Sequence, residues 1–354
     1  MRIPTPIQAL SAAAALALLA GCSSGSAIAP THQTLQGHVM QNGNHGSSVL
    51  NPVGMLKLGH LTGSHPTHSF NACPATGQLE YISDGATNTV YIYAGGFTAN
   101  QAPCGTITGL AEPQGLFVRK HKLYVANTIG NPSGGGQVLR FPRGATTPDQ
   151  TMTDTNCSGE YPADVTVDNA GYVYATNIIT VACSGGSMST FSPSGAFMNN
   201  YPAYNGANEY FLTVQPGGHV YYDDNSFTIQ KGHCAAGVCG AFTSTAATMA
   251  FPGGLSSTEK NDVVLDDQSA TGGGALTSFE SFPTSAHSCT LGASDPVSYG
   301  FNLGSHKAYV ADAGNGDGRE YTYNEGNTCT LVNTTQATGG QPIGAAVDKP
   351  NKID

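Results

Sequence analysis

The sequence predicts an all-β protein, a six-bladed β-propeller of four-stranded blades closed by the C-terminal strand pairing into the first blade. Three observations carry this. First, the 354 residues include 46 Gly, 20 Pro and 16 Tyr, while only 10% are charged, against about 25% in an average globular protein; turns and strands are favoured over charged helix surface. Second, one strand pattern recurs six times. Third, each end of the chain holds half of a unit that the other end completes.

The recurring strand ends in an acid or amide: Leu79-Glu-Tyr-Ile-Ser-Asp84, Leu123-Tyr-Val-Ala-Asn127, Tyr172-Val-Tyr-Ala-Thr-Asn177, His219-Val-Tyr-Tyr-Asp-Asp224, Asp262-Val-Val-Leu-Asp-Asp267 and Lys307-Ala-Tyr-Val-Ala-Asp312. The end residues step by 43, 50, 47, 43 and 45 positions, a period in the range of propeller blades. After Asp312 the run Gly314-Asn-Gly-Asp-Gly318 fits only a tight turn, and Glu320 to Tyr323 alternate as a further strand.

A second marker lies upstream. Pro113-Gln-Gly-Leu-Phe-Val118, Pro162-Ala-Asp-Val-Thr-Val167, Pro252-Gly-Gly-Leu255, Pro296-Val-Ser-Tyr-Gly-Phe301 and Pro342-Ile-Gly-Ala-Ala-Val347 are short apolar runs led by Pro, and Glu209 to Val214 is a copy without it. A first strand residue need not donate to the ladder, so Pro is tolerated there. The strand near Tyr81 has no Pro-led strand ahead of it, and Pro342 to Val347 has no partner after it. Joining them closes a circle and removes two exposed edges.

The N-terminus is a targeting segment. Arg2 precedes an apolar stretch from Ala9 to Ala20, closed by Leu19-Ala20-Gly21-Cys22. This resembles a bacterial lipoprotein signal with its lipobox, which implies cleavage before Cys22 and acylation of its sulfur with palmitate-type chains; an ordinary secretory signal with an incidental Cys is the alternative. Residues 1–21 are then the signal peptide, 22–70 a lipid-anchored flexible linker and 71–354 the propeller. Ser23 after the Cys favours the outer membrane if the host has two. The linker carries His32, His38, His45, His60, His65 and His68 at irregular spacing, which reads as a solvated tether rather than a metal-capturing tail.

Without Cys22, eight Cys remain, an even set that reads as disulfides in an oxidising compartment. Cys234 with Cys239 is the easiest pair, followed by Cys157 with Cys183 and Cys73 with Cys104; Cys289 and Cys329 complete the set. No Cys-x-x-Cys favours zinc. The formal charge of -10, with 13 Lys and Arg in all, excludes nucleic acid and polybasic lipid binding as functions.

The motifs Pro342 to Asp348 and Tyr309-Val-Ala-Asp-Ala-Gly-Asn315 resemble those of the NHL-repeat and lactonase-like six-bladed propellers, over about 280 residues. The resemblance implies that the Pro-led strands line a central channel. Glu112, Glu160, Glu209 and Asp295, each just ahead of such a strand, then crowd one face with Asp84, Asn127, Asn177, Asp224, Asp267 and Asp312. Converging carboxylates need a neutraliser, and Ca²⁺ held by Glu112, Glu160, Glu209 and Asp295 is the economical one. In lactonases of this architecture Glu, Asn and Asp hold a divalent cation that polarises the substrate and activates water. This chain has no Asn at the inner positions, so the expectation divides. One reading is an envelope-anchored binding or scaffold module taking a protein or glycan, with Tyr201, Tyr204 and Tyr210 as a stacking platform; the other is a metal-dependent hydrolase of the lactonase or gluconolactonase type. The outer acids and amides, and the inner ones less strongly, have a plainer use as turn caps. No Ser-His-Asp or Cys-His set is apparent, and the absence of Trp argues against quinoprotein propellers.

Overall fold

The computed structural model describes residues 73–348 apart from 130–134, 157–159, 181–184, 204–208, 225–227, 249–250, 259–261, 269, 271, 294, 303–305 and 325–327. Six antiparallel sheets make six blades, with no helix among the described residues. Blade 1 contains β1 (Leu79–Asp84), β2 (Thr89–Ala94) and β3 (Gly105–Ile107); blade 2 runs through β4 (Pro113–Arg119), β5 (Lys122–Asn127), β6 (Gln137–Pro142) and β7 (Gln150–Met152). Blade 3 comprises β8 (Glu160–Val167), β9 (Val173–Thr180), β10 (Gly185–Phe191) and β11 (Phe197–Pro202). Blade 4 has β12 (Glu209–Val214), β13 (His219–Asp224), β14 (Thr228–Ala235) and β16 (Thr243–Thr248), with β15 (Val238–Cys239) folding back on the end of β14. Blade 5 is β17 (Pro252–Ser257), β18 (Val263–Asp267), β19 (Ala275–Ser281) and β20 (Thr284–Thr290); blade 6 is β21 (Pro296–Asn302), β22 (Lys307–Asp312), β23 (Asp317–Tyr323) and β24 (Cys329–Thr334).

The last strand, β25 (Pro342–Asp348), becomes the inner strand of blade 1. It pairs with β1 from Leu79↔Asp348 to Asp84↔Pro342, which is the closure that the two chain ends predict. Both ends of this pair are fastened. Asp84 accepts from Gln341 N at 3.0 Å and from the Thr338 hydroxyl. Asp348 meets His121 Nδ1 at 2.7 Å and the Arg143 guanidinium, which also donates to Gly77 O at 2.7 Å.

The core lies between blades. Leu79, Tyr81, Val90 and Ile92 of blade 1 pack on Leu116, Leu123, Val125 and Phe141 of blade 2. Ile82, Tyr93 and Phe97 meet Tyr309 and Ala311 of blade 6, with Phe97 edge-on to both tyrosine rings at 5.2 Å. Because each sheet is covered on both faces, β1, β12 and most of β22 read as continuous buried runs rather than an alternation.

The inner strands share one irregularity. In every blade their pairing with the second strand slips near its start, at Pro113/Leu116, at both Glu160/Pro162 and Pro162/Asp164, at Glu209/Leu212, Pro252/Leu255, Pro296/Ser298 and opposite Ile82/Asp84. A bulge leaves backbone groups off the ladder. In blades 1, 3 and 4 the side chain just before the terminal acid or amide of the second strand takes some of them up, whereas blades 2 and 6 have Ala126 and Ala311 there. Ser83 Oγ accepts from Gly344 N of its own blade at 2.8 Å and donates to Gln114 O of the next; Thr176 Oγ1 donates to Tyr210 O of the next blade at 2.5 Å.

Cys73 is bonded to Cys104 and Cys234 to Cys239. Cys289 and Cys329 form a third bridge, from β20 of blade 5 to β24 of blade 6. Cys157 and Cys183 lie outside the described residues, as do Cys22, the signal and the linker.

Candidate functional site

The acids and amides that end the second strands are buried, except the half-buried Asp267, and Asp84, Asn127, Asp267 and Asp312 serve the backbone. Asp84 Oδ1 accepts from Ala86 N, Thr87 N and Gln341 N, each at 3.0 Å. Asn127 Oδ1 takes Ala111 N at 2.7 Å, Asp267 Oδ1 takes Phe251 N at 3.0 Å, and Asp312 Oδ1 takes Asp295 N at 2.9 Å. Each caps its own turn or pins the residues leading into an inner strand, which is turn chemistry. Asn177 and Asp224 are spent within their blades, Asn177 on Ser187 and Ser189, and Asp224 on Gln230 at 2.6 Å.

The inner four stand on separate blades. Glu112 has a left-handed backbone at φ 50°, and its half-buried carboxyl is pushed up to about 7 by burial. Asp295 is also raised to about 7, by burial and then by the Asp312 charge. Glu209 is fully buried against the Tyr222 hydroxyl, and burial holds its carboxyl well above the usual range. Among the described residues no three His, Cys, Asp or Glu side chains come together as a metal cage. The Ca²⁺ cage expected of Glu112, Glu160, Glu209 and Asp295 is therefore not assembled, although Glu209 feels the Glu160 charge. The physical reason is clearest at Glu160, whose carboxyl points out along its own blade.

Glu160 forms the densest polar cluster. Its Oε1 accepts from Ser187 Oγ at 2.8 Å and Asn200 Nδ2 at 2.6 Å, and its Oε2 from Ser189 Oγ at 2.8 Å. Asp154 Oδ2 is reached by the same two donors, Ser189 Oγ at 2.8 Å and Asn200 Nδ2 at 2.9 Å. Two buried carboxyls bridged in this way repel unless one holds a proton. Burial, and then the Asp154 charge, push Glu160 up to about 8. The pair faces a narrow cleft between blades 2 and 3, lined also by Gly136, Gln137, Thr153 and Asn177, with room for little more than a water molecule. Such a pair shares one proton between its two carboxyls.

Three further carboxyls escape the sequence motifs. Asp164 stands one turn of pleat inside Pro162; its Oδ2 accepts from Leu212 N of blade 4 at 3.1 Å, and a Cβ at Gly115 of blade 2 would collide with it. Burial raises it to about 8. Asp223 and Asp266 occupy the bulge-bridging position of Ser83 and Thr176 and are raised well above the carboxylate range by burial. The signal was the doubled Asp at 223–224 and 266–267, where other repeats put Ser, Ala or Thr ahead of the terminal residue. Two of the three tyrosines expected to form a stacking platform are described, and both are engaged in packing. Tyr210 is buried, Tyr201 OH accepts from Cys239 N at 2.8 Å, and Tyr204 lies outside the described residues.

No family model matches the chain, and no curated protein sequence matches it. Solved structures do. A chain of the nidogen/laminin complex superposes with a TM-score of 0.55 at 11% identity, covering 77% of this chain and 98% of that one. A Bacteroides caccae protein of unknown function gives 0.53 at 10% identity, covering 77% and 99%. A Bacteroides fragilis protein assigned provisionally as a 6-phosphogluconolactonase gives 0.52 at 10%, covering 78% and 99%. At these identities the likeness establishes the propeller fold alone.

Proposed function

We propose that this chain is a lipid-anchored envelope protein, acylated at Cys22, whose propeller recognises a protein or glycan through the face that carries the inner acids, without catalysing a reaction. One observation carries the preference for binding over hydrolysis. The acids a lactonase-type cation would need stand on separate blades, with their oxygens spent on neighbouring side chains or buried. The fold itself is neutral on the question, since the structures it resembles include a protein–protein complex and a provisional lactonase.

The test is thermal unfolding of the mature chain with Ca²⁺ and then with chelator, beside a panel of lactones and esters and arrays of glycans and peptides. An unchanged midpoint, no turnover and an array ligand whose affinity falls at least about tenfold in Glu112→Gln support the binding module. A chelator-sensitive rise in the midpoint together with lactone turnover would replace it with the metal-dependent hydrolase.

A further inference from the structure

We propose that Asp223 and Asp266 act as protonated carboxylic acids that bridge neighbouring inner strands, so that the seams between blades 4 and 5 and between blades 5 and 6 are latched by protons. The two residues hold the repeat position in which Ser83 and Thr176 donate a hydroxyl hydrogen to the inner strand of the following blade. Ser83 also accepts an N–H from its own inner strand. Asp223 reproduces the accepting half, taking Phe211 N on Oδ1 at 2.7 Å, while its Oδ2 is buried with no partner. A hydrogen on Oδ2 supplies the missing donor. Asp266 is as deeply buried, pressed on Gly253 of its own inner strand, with both oxygens unpartnered.

The surroundings leave the proton as the neutraliser. Asp223 faces Asp164 on β8, Glu209 on β12 and its neighbour Asp224; Asp266 faces Asp267, Asp295, Asp312 and the phenol of Tyr299. Arg319 is committed to Asp312 and Asp317 at 2.9 and 3.0 Å. Among the described residues no metal cage forms. A buried carboxylate whose charged neighbours are all acids is costly, and at Asp223 the backbone N–H groups of Phe211 and Tyr210 offset only part of that cost, so the neutral acid is the stable species. The native state therefore keeps protons that the unfolded chain releases above its ordinary carboxyl range, and the latch is fully closed in mild acid and opens as pH rises.

The test compares unfolding of the full mature chain with its Asp223→Asn and Asp266→Asn variants from about pH 5 to about pH 9. An amide keeps the shape and donates at every pH. Equal midpoints are expected near pH 5, and near pH 8.5 each variant should melt about 2–4 °C above the wild type. Parallel curves across the range overturn the latch, and so does a wild-type midpoint that Ca²⁺ restores at the alkaline end. Should the variants fail to fold, the infrared carbonyl band of protonated carboxylic acid decides it. A band that outlasts the ordinary carboxyl range in a chain already carrying Glu160→Gln and Asp164→Asn, and fades together with stability on alkalisation, is expected; its absence there refutes the proposal.

Discussion

Three backbone N–H groups converge on one carboxylate oxygen at Asp84, and one of them belongs to the segment that closes the ring. Asn127 does the equivalent work with an amide, so charge is dispensable at this position and an acceptor is not. Asp84→Ala should cost about 2–3 kcal/mol, read as a lowered urea midpoint, whereas Asp84→Asn should stay within about 1 kcal/mol. Glu160→Gln should be similarly mild near neutrality, because Glu160 already carries a proton over much of that range, and Glu160→Ala should cost about 3 kcal/mol by orphaning Ser187, Ser189 and Asn200. Larger losses in the Gln variant than in the Ala variant would contradict the neutral-acid reading.

Among the elements, inner and second strands were legible because a Pro or a Tyr-x-x-Asp marks each at a fixed step. Outer strands such as β24, with much of its length exposed, and the three-residue β3 and β7 carry no such mark, since a half-solvated edge accepts many residues. The Asp154–Glu160 cluster was illegible for a different reason. It draws on five separate segments, from the β7–β8 connection to β11, and no spacing rule links Asn200 to Glu160. The bridge between β20 and β24 joins two of the least marked strands. It encloses a separation of 40 residues, against 5 for Cys234–Cys239. Removing it with Cys289→Ser and Cys329→Ser should cost about 4 kcal/mol, against about 2 kcal/mol for the hairpin bridge. Equal losses by denaturant unfolding would show that native contacts, not loop closure, dominate both.

For the whole molecule, the formal charge of -10 counts every acid as ionised, and the fold contradicts that count. Glu80, Glu112 and Asp295 are raised to about 7, Glu160 and Asp164 to about 8, in each case chiefly by burial. A carboxyl raised in the native state binds a proton that the unfolded chain has lost, so its contribution is present in mild acid and disappears as pH rises through 7 to 8. Asp149, held low by Arg140, contributes the opposite limb in stronger acid. The urea midpoint should therefore peak in mild acid and be clearly lower near pH 8.5; a flat profile across neutrality would count against the raised values. Closure makes a separate prediction. A chain ending at Gly340 lacks β25 and strands both Asp84 and the edge of β1, and it should lose cooperative near-UV unfolding altogether, while a truncated protein with a native transition would show that the ring is not sewn by this strand.

The Cys73–Cys104 bond spans a separation of 31 residues that contains both β1 and β2. A pull applied to the chain ahead of Cys73 therefore runs through the sulfurs to Cys104 and on to the edge of blade 1. The intervening loop bears no tension, and β1, which holds the closing strand, is not peeled from it. The ring is in that sense mechanically insulated from a pull on the chain ahead of Cys73, and reducing this one bond would reroute that force directly into the seam.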